Sequence, residues 1–420
     1  MRPEEQRQRH DDRHSRLKEH IVEKQKQKLT AGARTAASGE TPVVRWVENG
    51  EERSAAWRSE AGVAVPKRVQ LADDTLNADT AYRLACEGTA LLWRGDFQNA
   101  RQLLQAMARR LDRKPEKSTP AKSPPSVNDA FNRHRMAQAQ RARTLGMLLI
   151  PFGADHVIAL RRAPDARQAC AEAYGEAAAP YVASLRELLG AIGAHEWRKK
   201  GVEIPALAGR IHPHYGVFSP VRGEYVAMVA SAPLPAALAE NSLAFDVGTG
   251  TGVLSAVLAR RGVRHVVATD QDRRALACAR ENVERLGMKA QVEVIEADLF
   301  PPGRAPLIVC NPPWVPAKPS SPLEYAVYDP DSRMLRGFLG GLAEHLEAGG
   351  EGWLILSDLA EHLGLRPRAM LLELFDKARL KVVGRIDVRP THPKALDTSD
   401  PLHTARAAEV TSLWRLGAAE

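Results

Sequence analysis

One run of seven residues, Asp246-Val-Gly-Thr-Gly-Thr-Gly252, constrains the fold of this chain more than any other. An apolar segment, Ala244 to Val247, leads straight into three glycines at alternate positions, and an apolar-periodic segment opens at Gly252. Glycines there allow positive φ and let a ligand approach the main chain, because no Cβ stands in the way. Strand, glycine turn and helix in that order predict one unit of a parallel α/β sheet whose loop faces a nucleotide-like cofactor.

The pattern continues to the C-terminus. Strands are expected at Ala244 to Val247, His265 to Thr269, Gln291 to Glu296, Leu307 to Cys310, Gly352 to Ser357, Lys381 to Val388 and Glu409 to Leu416. Helices fall between them at Gly252 to Arg260, Arg273 to Leu286, Asp331 to Leu346 and Pro367 to Ala378. Alternation of this kind marks an α/β class, here a doubly wound, Rossmann-like seven-stranded sheet ending in an antiparallel pair.

Upstream the partition is less regular. Residues 1–40 read as a charged flexible tail. Residues 41–114 read as a small region with a β-hairpin around Asn49-Gly50 and then a helical hairpin, Ala78 to Arg94 and Asp96 to Arg113. Residues 115–128 are dense in proline and serine and form a linker. Residues 129–235 are expected to be mainly helical, with helices at Asp129 to Leu145, Asp165 to Tyr174 and Pro180 to Ile192 and a strand at His156 to Leu160. The catalytic unit then spans 236–420, giving the sheet a mainly helical N-terminal extension.

The 420 residues contain no apolar run long enough for a membrane anchor and only four scattered cysteines, which favours a reducing, cytoplasmic setting over a disulfide framework. Lys and Arg number 59 against 51 Asp and Glu, a formal charge of +8 that would assist encounter with a polyanion such as RNA. His212 and His214 have no Cys or carboxylate cluster to complete a metal set, so no metal is expected.

Asp270 closes the strand after the glycine loop, where an acidic group can bind ribose hydroxyls. An acid followed by Gly-x-Gly-x-Gly resembles motif I of the S-adenosylmethionine-dependent methyltransferases of class I, over roughly residues 210–420. The resemblance implies S-adenosyl-L-methionine as cofactor, held by Asp246, Gly248, Thr249, Gly250, Gly252 and Asp270, with Asp298 reading the adenine amine and Asn311 also close to it. It implies a methyltransferase sheet of seven strands.

Asn311-Pro312-Pro313-Trp314 follows a buried strand at the carboxyl edge of that sheet. A conjugated amine is a poor nucleophile and must be aimed in line at an electrophilic methyl group. Asn311 Oδ1 and the Pro312 carbonyl can accept its two N–H bonds, Pro313 stiffens the turn, and Trp314 can stack on the planar substrate. These four are the candidate catalytic residues. The tetrapeptide is shared by enzymes that methylate nucleobase amines and by those that methylate the glutamine amide of release factors. The segment after Trp314, including Tyr328 and Asp329, resembles the release-factor group, whereas His214 to Pro220, with Phe218, resembles guanine-amine ribosomal RNA methyltransferases. Nucleic acid is the first expected partner and a translation-related protein the second; a non-catalytic scaffold with a relic domain is a third reading. Asp331 is expected to cap the helix to Leu346. His392 and Lys394, on the irregular segment Arg389 to Thr404, and Arg406 just after it could meet phosphates.

Overall fold

The computed structural model describes residues 42–112, 126–221, 223–319, 324–325, 327–390 and 397–419. The charged segment 1–40, most of the Pro/Ser stretch 115–128, His392 and Lys394 lie outside them. Asn49 and Gly50 have φ of 54° and 79°, and between β1 (Val43–Glu48) and β2 (Glu51–Trp57) the chain turns back as an Asn-Gly pair dictates. There follow β3 (Arg68–Ala72), α1 (Ala78–Cys86), β4 (Thr89–Trp93), α2 (Phe97–Asp112), α3 (Val127–Gly146), β5 (Leu148–Phe152), α4 (Arg167–Tyr174), β6 (Tyr181–Ser184) and α5 (Leu185–Lys200). The strands form one six-stranded sheet in the order β1-β2-β6-β5-β4-β3, parallel at β2/β6, β4/β5 and β3/β4 and antiparallel at β5/β6 and across the β1–β2 hairpin.

A mainly helical extension is therefore not what this sequence makes; the region is a mixed α/β layer. The helix expected over Ala78 to Arg94 stops at Cys86, Gly88 turns the chain at φ 79°, and the rest is β4. Leu91 and Leu92 are fully buried and Trp93 is 1% exposed. A strand covered on both faces lacks two-residue alternation and reads like a stretch of helix. With β4 between them, α1 and α2 are not the arms of a hairpin. The helix expected from Pro180 begins only at Leu185, after the buried strand β6, and Ser184 Oγ accepts from Arg186 N at 3.1 Å as its cap. The strand expected at His156 to Leu160 lies instead at β5, and His156 sits at φ 61° beside a short 3₁₀ turn.

The short ribbon β7 (Val202–Ile204) and β8 (Gly209–Ile211) and helix α6 (Glu224–Ser231) lead into the second sheet. Its elements are β9 (Leu243–Val247), α7 (Val253–Arg260), β10 (His265–Asp270), α8 (Arg273–Arg285), β11 (Val292–Glu296), β12 (Ala305–Cys310), α9 (Arg333–His345), β13 (Leu346–Ser357), α10 (Leu359–His362), α11 (Arg368–Lys377), β14 (Leu380–Val388), α12 (His403–Ala408) and β15 (Thr411–Ala418). The strand order is β11-β10-β9-β12-β13-β15-β14, and β15 alone runs against its neighbours. This is the seven-stranded doubly wound sheet that the alternating pattern predicts.

Successive residues of β13 serve opposite layers, as the pleat requires. Trp353 and Ile355 join the apolar cluster of α7, whereas Leu354 and Leu356 join that of α9, with Phe338 and Leu342. Trp353 is fully buried, and cutting it to alanine would cost about 3–5 kcal/mol, a large part of a domain's net stability. From β9 the chain steps outward to β10 and β11, then returns to β12 on the other side of β9. That reversal is a topological switch point, the place where open α/β sheets bind ligands.

Candidate active site

The register of β9 against β12 brings the two motifs together. Val247 pairs with Cys310, so the glycine loop and Asn311 leave adjacent strands side by side, about 5 Å apart. Beyond them lies a cavity of about 470 Å³, lined among others by Gly248, Thr249, Gly250, Asp270, Asn311 and Pro312. Pro313 and Trp314 complete the wall on the Asn311 side.

Asp246, Gly252 and Asp298 do not line it. The Asp246 carboxylate is 1% exposed and accepts from Thr249 Oγ1 at 2.7 Å, Ser255 N at 3.0 Å and Ser255 Oγ at 2.5 Å. It ties the loop to the first turn of α7, and burial raises its pKa despite these bonds. Gly252 has φ of 79°, and a Cβ there would stand 3.2 Å from the Ala279 Cα of α8; its role is helix packing. Asp298 is exposed and bonded to Gln271, so the structure does not gather it into the cavity with the others.

Gly250 differs from Gly252: it has φ of 56° and nothing within 4 Å of its missing Cβ. Its N–H donates to Asp270 Oδ2 at 3.0 Å, while Asp270 Oδ1 accepts from Asp272 N at 2.9 Å. Asp270 is thus held at the rim with its pKa raised by burial. Asp272, which also lines the cavity, caps α8 by accepting from Arg274 N at 2.9 Å. An open backbone cradle with a fixed carboxylate beside it fits a nucleoside whose ribose hydroxyls need acceptors. Phe218, 38% exposed, lines the same cavity with Gly216 and Val217, so it is no core residue.

Across the cavity, Trp314 Nε1 donates to Asn311 Oδ1 at 2.9 Å. An indole can only donate, so this bond fixes the Asn311 amide with its oxygen toward Trp314 and leaves one further lone pair on Oδ1. Trp314 is half-buried against the apolar clusters of both helical layers, which makes its ring a wall more than a free platform. Pro312 is buried.

The segment after Trp314 folds back on itself: Asp329 N donates to Val315 O at 2.9 Å. The Asp329 carboxylate then caps α9, accepting from Met334 N at 3.1 Å and Leu335 N at 3.2 Å. Asp329, not Asp331, is the cap, because Asp331 and Ser332 both have positive φ, 57° and 54°, and form the turn into the helix. Burial raises the Asp329 pKa. Arg135 of α3 reaches this segment from the N-terminal layer. Its guanidinium lies 4.3 Å from the centroid of the Tyr328 ring, donates to Lys318 O at 2.6 Å and stands 3.4 Å from Glu324. Phe131 of the same helix shares an apolar cluster with Val315, Leu363, Leu402 and Ala405.

The cofactor side is braced too. His214 Nε2 meets Glu281 of α8 at 2.6 Å, Arg198 meets the same carboxylate at 2.5 Å, and Glu60 meets Arg274 at 2.6 Å. Burial lowers the His214 pKa. For Glu281, burial is outweighed by bonds from Arg285, His214 and Arg198, which bring it down to about 2. His212 spends Nδ1 on Arg198 O at 2.6 Å. Among the described residues no group of three His, Cys, Asp or Glu side chains could hold a metal ion, and no helix is long and apolar enough to cross a membrane.

Sequence reasoning missed Asp272, Met334 and Leu359 as cavity residues. Asp272 had a local signal, a second acid two residues after the strand-end acid; the others reach the wall only through the tertiary fold.

Residues 208–382 match the methyltransferase small domain. The chain is 34% identical over 171 residues to a release factor glutamine methyltransferase of Cereibacter sphaeroides, covering 37% of this chain and 60% of that protein. It is 30% identical to a tRNA1(Val) (adenine(37)-N6)-methyltransferase of Bacteroides thetaiotaomicron, covering 33% and 61%. It is 28% identical to a ribosomal protein L11 methyltransferase of Sorangium cellulosum, covering 45% and 60%. The chain spans about three fifths of the length of each. The matched residues take in the second sheet from β9 to the start of β14, with the glycine loop and Asn311 to Trp314 inside them.

Proposed function

We propose that this chain, which carries a methyltransferase small domain, transfers a methyl group from S-adenosylmethionine to a planar amino group, first of all a nucleobase amine of RNA or DNA. The observation that carries the reading is the fixed Asn311 amide, one strand away from the glycine loop in the same cavity.

S-adenosylmethionine supplies an activated methyl on a sulfonium. Gly248, Thr249 and Gly250 offer backbone to its nucleoside and methionine parts, and Asp270 offers carboxylate oxygens to the ribose. Asp246 acts at one remove, by holding the loop. At the other end, the remaining Oδ1 lone pair of Asn311 and the Pro312 carbonyl accept the two amine N–H bonds. That turns the nitrogen lone pair out of conjugation and toward the methyl. As the carbon–nitrogen bond forms the carbon–sulfur bond would break, the sulfur leaving as a neutral thioether; the positive charge on nitrogen is stabilised by two fixed carbonyl dipoles and the Trp314 ring until one N–H proton passes to solvent. No metal, covalent intermediate or strong base is required. A base held in a duplex has to be flipped out to enter.

A protein glutamine amide is the second reading, favoured by the release-factor relative and by the segment after Trp314. Incubating full-length protein with labelled S-adenosylmethionine and a cell extract, then digesting with nuclease or protease, separates the two. Label released by nuclease supports the first reading and label released by protease the second. Absence of any cofactor binding in calorimetry favours a relic scaffold instead.

A further inference from the structure

We propose that Arg406 forms an anion subsite at the substrate end of the cavity, and that its ligand is a phosphodiester next to the base presented to Asn311. The inference rests on the N-methyltransferase reading above.

Arg406 sits on α12, between β14 and β15, and the fold carries it into the cavity wall. Among the described lining residues it is the sole basic side chain. The acids of that wall, Asp270 and Asp272, follow β10 at the cofactor end, whereas Arg406 arrives with Leu359 from the opposite half of the sheet. Its Nε lies 2.9 Å from Asp400 Oδ2, and the Asp400 side chain is only 8% exposed. Asp400 is itself fixed, because its Oδ1 accepts from Leu402 N at 2.9 Å and its carbonyl from His403 N at 2.9 Å. The guanidinium is thereby held near Asp400 by charge along its Nε edge.

Of its nitrogens, Nε is sealed from solvent and makes no well-formed hydrogen bond, so Asp400 holds it by charge; no hydrogen bond to either Nη is present among the described residues. A positioned planar fork with unused N–H donors matches two oxygens of a phosphate. Tyr325, 62% exposed, and Phe218, 38% exposed, stand at the same cavity. Exposed aromatic rings beside an arginine are what a single nucleic-acid strand uses for base stacking and backbone contact. A glutamine amide is uncharged and makes no use of the fork.

One other anion belongs to this cavity, the carboxylate of the cofactor's methionine part, and the experiment separates it. Full-length wild type, Arg406→Gln and Arg406→Lys are assayed for methyl transfer to bulk cellular RNA over a range of salt, and for S-adenosylmethionine affinity by calorimetry. The expected result for Arg406→Gln is a rise of about tenfold in KM for RNA, with kcat and cofactor affinity within about twofold of wild type. The slope of log binding against log salt should shrink by about 1, the loss of one phosphate contact. Arg406→Lys, which keeps the ion pair to Asp400, should restore part of the affinity and the slope. Equal RNA kinetics and salt slope in all three proteins overturn the subsite. A parallel loss of cofactor affinity overturns it as well, by giving the arginine to the cofactor. If wild type labels protein and never RNA, the nucleobase reading itself falls and takes the subsite with it.

Discussion

The cofactor end of the cavity comes from one stretch of chain, Asp246 to Asp272, which closes on itself through Thr249, Ser255, Gly250 and Asp270. The substrate end draws on Asn311 to Val315, Tyr325, Val327, Leu359 and Arg406, and the segment after Trp314 is braced by Arg135 from the other sheet layer. A shared cofactor can be held by a local motif that carries its own hydrogen bonds. A substrate-specific mouth is assembled from distant segments, so it can change while the cofactor end stays as it is.

The contrast predicts different failures at the two ends. The largest effect is expected for Asn311→Ala: single-turnover methyl transfer should fall by about 10²–10³-fold or more, while calorimetry finds cofactor affinity within a few-fold. Equal losses in both would mean that the two ends are one unit. Asp270→Ala should do the reverse, weakening cofactor binding by about 10- to 100-fold, since it removes the acceptor of Gly250 N and the proposed ribose ligand together. Arg135→Ala should raise KM for the methyl acceptor by about fivefold and leave the cofactor dissociation constant alone, because its contacts with Tyr328, Lys318 and Glu324 hold the segment after Trp314. A fall in cofactor affinity there would break the comparison.

The smallest effect concerns pH. His214 has its pKa lowered in the fold, so below about 6.5 the unfolded chain takes a proton that the folded chain resists. Glu281 falls from 4.5 to about 2, so its contribution is complete above 4.5 and disappears as pH drops through about 2. Both signs agree: thermal stability should decline with acidification below pH 6.5. Melting curves of Glu281→Gln should lose the part of the decline that falls below pH 4.5, while the part below pH 6.5 stays or deepens because His214 has lost its carboxylate partner; an unchanged pH dependence would remove this brace from the account.

The same division explains what the sequence made legible. The strands of the second sheet, including β9, β10 and β12, lie within a few residues of their expected places, because apolar strand and amphipathic helix alternate cleanly there. The N-terminal sheet was hidden: Leu91 to Trp93 and Tyr181 to Ala183 are buried on all sides, so neither shows the alternation of a half-exposed strand. In the site, Gly250 and Asp270 were readable from local spacing, but the task of Asp246 was not, since loop-tying and ligand-binding acids occupy the same position. Asp298 was assigned by resemblance alone, and the fold leaves it in solvent. Nothing in α3 announces that Arg135 will lie on Tyr328; that contact exists only after two layers have docked.

One close approach joins the two ends. A Cβ on Gly248 would lie 2.4 Å from Met334 Cε, so the methionine tip fills the hollow left by the missing side chain. Met334 stands in the first turn of α9, whose start is capped by the carboxylate that ends the substrate segment. The thioether is therefore a flexible plug between the glycine loop and the start of α9. A side chain at position 248 would have to displace that tip, so the glycine makes room for a residue of the substrate-side helix as well as for a ligand.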